Sequence, residues 1–529
     1  MKVLSVMQNP IVASVLSTAC LLAWAPAAHA QFGRGGAEWM TIGADAQRSH
    51  WIPADPKIST ANLEKPGFQF LWKVKLNNEP IELNSLTPAV LIDRYIGYRG
   101  FRSLAFVGGS SNSVFGIDTD LSRIEWQQHL AVSSPAGTLA CPGGVTANVA
   151  RETTAAYPPL EAVGGGLGGR GGGARSDVSP PGEGAVTIRA TASLAGRGRG
   201  GPPRQRRAAV VYLVGGDGML HSLYISNGME PEPPVPFLPP NANAQGLIVL
   251  DRVAYAATGN CGGGSSGVWA LDLDSKQVSH WGPSDGAITG SEGPAFGPDG
   301  TVYAATTNGQ LAALSPRDLK LVASYTTGGE AFTSSPVVFP YKGKTLVAAA
   351  TQDGRIHLLD AASLDGPDQK TALFRTASYS TKGFAPTALA TWLDSDGIRW
   401  VLAPAAAAPA SSSGFSQANG SIANGAIAAW RVSDRNDAIT LEPGWLSRDL
   451  IAPLNPAIIN GIVFALSGGN KSSPSVLYAL DGSTGKKLWD SAKTITSFVH
   501  SGGITGEAGQ VYLETYDETL YAFGFRMEH

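Results

Sequence analysis

The side chains best suited to chemistry are polar residues that stand beside the starts of recurring apolar segments. Glu292, Asn455 and His500 supply a carboxylate, an amide and an imidazole, groups that can ligate a cation or orient a small ligand. Asn148 and Ser334 occupy comparable positions. The alternative is that all five hydrogen-bond exposed strand ends and nearby water. Their role therefore depends on whether the fold brings these distant positions together.

The elements that must position them are copies of one hairpin, which is clearest near the C-terminus. Residues 476–481 read as an apolar strand, residues 482–485 (Gly-Ser-Thr-Gly) as a turn, and the following strand ends on Trp489. The composition agrees, since 65 glycines, 35 prolines and only 15% charged residues favour short strands and turns over helices. The sequence therefore predicts an all-β repeat protein.

Eight strand starts share one local pattern, in which a small or polar residue and then Pro or Gly precede an apolar strand. Most starts lie roughly 42 to 54 residues apart, a spacing typical of propeller blades. We therefore expect an eight-bladed β-propeller of four-stranded blades. The starts are Thr87-Pro88, Cys141-Pro142, Gln245-Gly246, Gly293-Pro294, Ser335-Pro336, Ala385-Pro386, Asn455-Pro456 and Gly502-Gly503.

This fold would bring the polar positions together, because the innermost strand of each blade lines the central channel of a propeller. Residues 68–529 form the predicted propeller, and residues 31–67 form a lead-in segment. Residues 70–74 alternate like a strand and could supply the outer strand of the last blade, which would close the ring.

A Gly/Arg/Pro-rich insert at residues 162–207 accounts for one long interval between starts. It has too few apolar residues to offset the entropy of ordering, so we expect a disordered loop. Its arginines resemble those of nucleic-acid-binding tails, but the net charge of −3 argues against a nucleic-acid binder. A solvated loop, or one that touches an anionic polymer or membrane surface, is the favoured interpretation.

The N-terminus has the features of an export signal: Lys2, an apolar stretch at 11–24, and Ala28-His29-Ala30 before Gln31. Residues 1–30 are therefore a predicted signal peptide that is cleaved after Ala30, and the protein is predicted to be periplasmic or secreted. No later apolar run approaches the roughly 20 residues that a membrane-spanning helix needs.

Two cysteines, Cys141 and Cys261, remain after this cleavage. An even pair in an oxidising compartment is a candidate disulfide, and both residues lie beside glycines that allow close backbone approach. The alternative is two unpaired buried thiols.

The pattern Ala-x-Asp-x-x-Thr-Gly-x-x-x-Trp at residues 479–489 resembles the repeat of pyrroloquinoline-quinone-type (quinoprotein-like) β-propellers. Residues 38–76 are similar to the lead-in of quinoprotein alcohol dehydrogenases. The resemblance implies that Trp126, Trp281 and Trp489, which end repeat hairpins, pack between adjacent blades. Such propellers include dehydrogenases and also non-catalytic scaffolds of outer-membrane protein assembly.

For an enzyme of this family, the resemblance implies pyrroloquinoline quinone and a calcium ion bound by a Glu and an Asn, with an Asp as general base. The sequence departs from that pattern, since it has no adjacent Cys-Cys pair and no Cys-x-x-Cys-His haem site. We therefore expect an exported, monomeric, non-catalytic propeller that binds an envelope protein, an envelope polymer or a small ligand. The alternative is a periplasmic quinone-dependent oxidoreductase that acts on an alcohol or a sugar.

Overall fold

The computed structural model describes residues 38–79, 86–97, 100–131, 143–158, 209–259, 261, 265–364, 370–380, 386–406, 414–436, 438–499 and 502–526. Its strands form eight sheets, which are the blades of a β-propeller. The predicted fold class is therefore confirmed. The insert at 162–207 and the signal peptide lie outside the described residues, as do His500 and Cys141.

Before the first blade, the chain forms β1 (Trp51–Ile52), helix α1 (Thr60–Leu63) and β2 (Gln69–Lys75). Among the described residues, no helix has the length and hydropathy to cross a membrane.

Blades 1, 2 and 4 follow predicted starts, and the predicted start of blade 3, Gln245-Gly246, lies within its first strand. Blade 1 contains β3 (Val90–Gly97), β4 (Gly100–Gly109), β5 (Ser113–Asp118) and β6 (Arg123–His129). A short strand, β7 (Glu152–Thr153), precedes blade 2, which contains β8 (Val210–Val214), β9 (Met219–Tyr224) and β10 (Val235–Pro236). Blade 3 contains β11 (Ala244–Leu250), β12 (Val253–Thr258), β13 (Gly267–Asp272) and β14 (Val278–Trp281). Blade 4 contains β15 (Ala295–Phe296), β16 (Val302–Ala305), β17 (Gln310–Leu314) and β18 (Leu321–Thr326).

The remaining four blades complete the ring. Blade 5 contains β19 (Val337–Tyr341), β20 (Lys344–Ala350), β21 (Ile356–Asp360) and β22 (Phe374–Arg375), with a short 3₁₀ helix at Ala361–Ser363. Blade 6 contains β23 (Ala390–Leu393), β24 (Arg399–Ala406), β25 (Ser416–Gln417), β26 (Gly425–Arg435) and β27 (Ala438–Leu446). Blade 7 contains β28 (Ala457–Ile459), β29 (Ile462–Ser467), β30 (Val476–Asp481) and β31 (Lys487–Asp490). Blade 8 contains β32 (Thr505–Glu507), β33 (Gln510–Glu514) and β34 (Thr519–Gly524).

Some blades depart from four strands for local reasons. In blade 2 the inner edge is reduced to one antiparallel bridge between Ala150 and Tyr212. Blades 3 and 7 each gain a parallel strand at the inner edge, β7 beside β11 and β1 beside β28. Blade 6 gains β25 at its outer edge, beside β27.

The ring closes through β2, which pairs with β34 as the outermost strand of blade 8. The indole Nε1 of Trp72 in this strand donates to Thr119 O of blade 1 at 3.1 Å. The same bond between neighbouring blades recurs from Trp126 Nε1 to Ile225 O at 2.8 Å and from Trp445 Nε1 to Gly482 O at 2.9 Å. The junction between the two chain ends therefore shares this bond with two internal interfaces.

The hydrophobic core lies between the faces of adjacent blades. One buried cluster joins Phe106 and Trp126 of blade 1 to Leu213 of blade 2. Middle strands are covered on both faces, so β29 is buried along its whole length and its sequence does not alternate. Glycines in turns allow neighbouring blades to approach closely because they have no Cβ. At Gly485, where φ is 71°, a Cβ would lie only 2.5 Å from Trp445 Cε3 of the neighbouring blade.

Candidate functional site

The centre of the propeller is crossed by residues 39–52, here called the axial segment. Its carbonyl oxygens accept hydrogen bonds from inner-strand N–H groups in ring order. The pairs are Trp39 O with Leu91 N (3.0 Å), Met40 O with Arg151 N (2.9 Å), Ala46 O with Phe296 N (2.9 Å), Gln47 O with Val338 N (3.0 Å), Ser49 O with Thr391 N (3.0 Å) and His50 O with Ile458 N (2.7 Å). The axial segment contacts blade 3 through a side chain: Thr41 Oγ1 donates a hydrogen bond to Leu247 O at 2.8 Å. The axial segment, which lies within the predicted lead-in, is thus hydrogen-bonded to most of the blades.

The axial segment adopts an unusual backbone conformation. Ala44, Arg48 and His50 have φ values of 72°, 60° and 57°, in the left-handed region that L-residues rarely occupy. All three residues are buried. Each such residue costs on the order of 1–3 kcal/mol and persists only where the surroundings fix it. The bonds to successive blades supply that constraint.

Arg48 anchors the segment from inside the protein. Its Nε donates to Pro294 O at 3.0 Å, and its Nη2 donates to Gly246 O at 2.7 Å. Its Nη1 donates to Thr41 Oγ1 and Ile42 O. Burial lowers the pKa of Arg48 to about 10, and the carboxylates of Glu292 and Asp45 oppose that shift. The guanidinium is therefore charged at neutral pH, and its N–H groups donate hydrogen bonds to these oxygens.

Glu292, His50 and Asn455 meet next to this anchor. His50 Nε2 lies 2.7 Å from Glu292 Oε1. Asn455 Nδ2 lies 2.9 Å from His50 Nε2 and donates to Glu292 Oε1 at 3.3 Å. The short contact fits an Nε2–H that donates to the carboxylate, and Nδ1 has no partner among the described residues. Two blades and the axial segment contribute to this contact, because Glu292 precedes blade 4 and Asn455 precedes blade 7. Asn148, which precedes blade 2, lines the same cavity.

These residues line a cavity of about 320 Å³ on the propeller axis. Its floor includes Trp39 and His50, which are 1% and 3% exposed. Ser291 and Thr387 lie at the solvent-exposed mouth. This volume falls at the lower end of the range typical of small-molecule sites.

Several lining residues leave one buried polar atom without a hydrogen-bond partner among the described residues. These atoms are Trp39 Nε1, His50 Nδ1, Asn148 Oδ1, Glu292 Oε2, Asn455 Oδ1 and Thr505 Oγ1. Buried polar atoms are normally paired with protein or water, so a cluster of such atoms in one cavity calls for an explanation.

The structure separates the residues that the sequence pattern grouped together. Glu292, Asn455 and Asn148 converge in the axial cavity. Ser334 does not line it, and its hydroxyl accepts from Ala350 N within blade 5 at 2.8 Å. His500 lies outside the described residues. His50 and Trp39 were not predicted for the site, since no local pattern links the axial segment to the strand starts.

The remaining predicted residues lie away from the axis. Trp126 bonds to blade 2, Trp281 packs on the core between blades 3 and 4, and Trp489 packs on Phe68 and Phe523. Cys261 is disulfide-bonded, and its partner is outside the described residues. Pairing of Cys261 with Cys141 stays a prediction.

Comparison with known proteins identifies a shared fold. No protein-family model matches the chain, and no curated protein matches it. The quinohemoprotein alcohol dehydrogenase of Comamonas testosteroni is 13% identical, with 93% of this chain and 81% of that chain covered and a TM-score of 0.57. A quinohemoprotein alcohol dehydrogenase of Pseudomonas putida HK5 is 11% identical, with 93% and 81% covered and a TM-score of 0.54. BamB of Moraxella catarrhalis is 12% identical, with 87% and 99% covered and a TM-score of 0.44. The predicted resemblance to quinoprotein-like propellers is thus confirmed for the fold.

The axial cavity does not fit the calcium ion and quinone that the resemblance implies. Calcium needs six to eight oxygen ligands, but Asn455 turns its amide nitrogen toward Glu292, whose Oε1 already faces His50. Within the described residues, no group of three or more His, Cys, Asp or Glu residues is arranged to hold a metal. Pyrroloquinoline quinone is a tricarboxylic acid, yet the described lining residues include a carboxylate and no Lys or Arg.

Proposed function

We propose that this protein is an exported, non-catalytic binding protein that holds a small ligand in the axial cavity of its propeller. The observation that carries the proposal is the group of six unpartnered buried polar atoms on the cavity lining. A ligand that pairs with them would remove the cost of burying them alone, about 1–3 kcal/mol for each atom. Export is supported by the N-terminal pattern of Lys2, an apolar stretch and Ala28-His29-Ala30.

The geometry favours a small ligand over the envelope protein or polymer that the sequence also allowed. The unpartnered groups lie at the bottom of the cavity, where Glu292 and His50 are each 3% exposed. A folded protein surface or a thick polymer could not reach them through a cavity of about 320 Å³. A rigid ring also suits ligand binding, since a preorganised site loses little entropy when the ligand enters.

The test is to identify a ligand and to block its site. The full chain, produced with its export signal and purified without denaturation, would be analysed by native mass spectrometry for a bound small molecule. Ser291→Trp places an indole at the cavity mouth, and Ser275→Trp places one at an exposed turn of blade 3. We expect the bound molecule to be lost in Ser291→Trp and kept in Ser275→Trp. Equal retention in both variants would overturn the proposal.

The oxidoreductase alternative has a direct test on the same preparation. Pyrroloquinoline quinone and calcium would be added, and dye-linked oxidation of a panel of alcohols and aldoses would be followed. Stoichiometric quinone binding with turnover would overturn the non-catalytic assignment.

A further inference from the structure

We infer that the axial cavity is selective for a small organic cation, a protonated amine that carries an aromatic or apolar body. This inference rests on the proposed binding function and names the chemical class of the ligand.

Among the unpartnered atoms in the cavity, those that can only accept a hydrogen bond outnumber those that can only donate one. Asn148 Nδ2 donates to Val149 O at 2.8 Å and to Leu247 O at 3.0 Å, which leaves Oδ1 as its free atom. Asn455 Nδ2 donates to Glu292, so its free atom is also the carbonyl oxygen. Together with Glu292 Oε2 these groups form three acceptors against one donor, Trp39 Nε1, while Thr505 Oγ1 and His50 Nδ1 are groups that can act in either sense. An ammonium group offers up to three N–H donors and no acceptor, and therefore complements this set.

The charges of the site point to the same class. Glu292, which is 3% exposed, contributes a carboxylate to the cavity floor. The described lining residues include no Lys or Arg. Arg48 balances the buried charge behind the floor, but its donors are occupied by Pro294 O, Gly246 O, Ile42 O and Thr41 Oγ1. An anion would meet Glu292 without a cation to receive it, whereas a cation would form a charge-assisted hydrogen bond in a water-poor site.

The walls of the cavity can take the apolar body of such a ligand. Trp39 lines the floor and lies edge-on to His50, with ring centroids 6.1 Å apart. Indole rings attract cations held over their faces and also pack against apolar groups. Four prolines from three blades complete the walls: Pro386 and Pro404 belong to blade 6, Pro88 to blade 1 and Pro453 to blade 7. Charge recognition at the floor and apolar contact along the walls together specify an amine rather than an inorganic cation.

The test uses three probes of nearly equal size that differ in charge: tyramine (a cation), tyrosol (neutral) and 4-hydroxyphenylacetate (an anion). Calorimetric titration of the full chain should show that tyramine binds at least about tenfold more tightly than tyrosol, and that the anion binds most weakly. Glu292→Gln should remove about tenfold of the tyramine affinity, because Gln keeps the shape but not the charge. Glu330→Gln, at an exposed carboxylate, should leave it unchanged.

The possible failures are distinguishable. If 4-hydroxyphenylacetate binds as tightly as tyramine and Ser291→Trp abolishes both, the cavity binds ligands but the inferred class is wrong. If none of the three probes binds, the inferred class is wrong, whereas the proposed function is decided by the native mass spectrometry of the bound molecule. If probe binding persists in Ser291→Trp, the axial cavity is not the ligand site and the proposed function fails as well. The comparison of the three probes on the unaltered chain does not depend on whether Glu292→Gln folds.

Discussion

His50 Nε2 lies 2.7 Å from Glu292 Oε1, although the two residues are 242 positions apart in the chain and each side chain is only 4% exposed. The contact joins the axial segment to blade 4 and orients the free oxygen of Glu292. We therefore expect the stability of the fold and the proposed ligand binding to depend on the same pair of residues.

Replacing His50 tests how much this pair contributes. His50→Ala should lower the free energy of unfolding by about 3–5 kcal/mol, because it leaves a buried carboxylate without its partner. Urea denaturation would measure the loss. His129→Ala, at an exposed histidine, should cost less than about 0.5 kcal/mol. In a double-mutant cycle, adding Glu292→Ala to His50→Ala should cost much less than Glu292→Ala alone, and strict additivity would contradict the coupling.

Arg48 is expected to be the main anchor of the axial segment. Arg48→Met should destabilise the protein by on the order of 3 kcal/mol or more, because it leaves buried carbonyl oxygens of Pro294 and Gly246 without donors. The matched control is Arg317→Met, which removes an exposed ion pair with Asp272 worth about 0–1 kcal/mol. Thermal and urea unfolding would compare the two variants, and equal losses would show that Arg48 is not an anchor.

Because Glu514 is buried, we expect the stability of the protein to depend on pH. Its Oε1 accepts from Ala89 N at 3.0 Å across the junction of blades 8 and 1, and burial raises its pKa to about 8. The folded state thus keeps the proton when the unfolded chain has lost it. The associated stability is fully present below about pH 4.5 and is lost as the pH rises through about 8.

Glu514→Gln imitates the protonated side chain and should remove this dependence. The variant should gain stability relative to the unaltered chain between pH 5 and pH 8, by up to about 1.4 kcal/mol per pH unit. Urea denaturation at several pH values would measure the difference, with Glu330→Gln as the exposed control. A difference that does not change with pH would contradict the prediction.

The disulfide of Cys261 is predicted to pair with Cys141. Mass spectrometry of a non-reduced proteolytic digest should find one peptide pair that joins the two positions. Removing the bond by Cys141→Ser should lower the free energy of unfolding by about 2–5 kcal/mol. Recovery of Cys141 as a free thiol in the exported protein would rule out the pairing.

The blades could be predicted from the sequence because their signals are local. A start such as Ser335-Pro336 and the apolar strand after it are adjacent in the chain, and β19 follows directly. The propeller rule then places residues such as Glu292 and Asn455 at the axis. Ser334 shows the limit of that rule, since the same position in blade 5 turns its hydroxyl to Ala350 N instead.

The path of the axial segment could not be predicted in the same way. Residues 39–52 have neither alternating nor helical periodicity, and Arg48 and His50 adopt left-handed φ values that disfavour L-residues. Their conformation is set by bonds to blades that lie hundreds of residues later, for example from Ile458 N to His50 O. Such contacts leave no local signal, so the role of His50 became visible only with the fold.

Ring closure gives the last prediction, because the junction of β2 with β34 uses the same indole bond as an internal interface. Trp72→Phe and Trp126→Phe each remove one hydrogen bond to a backbone carbonyl and keep most of the apolar contact. Each substitution should lower the free energy of unfolding, measured by urea denaturation, by about 1 kcal/mol. Hydrogen exchange should also show local opening at the altered interface, in β34 for Trp72→Phe and in β8 and β9 for Trp126→Phe. Two results would contradict this: an unchanged free energy of unfolding in Trp72→Phe, and rapid exchange of the β34 amides already in the unaltered chain. The junction would then be frayed, and the axial segment rather than β2 would hold the ring closed.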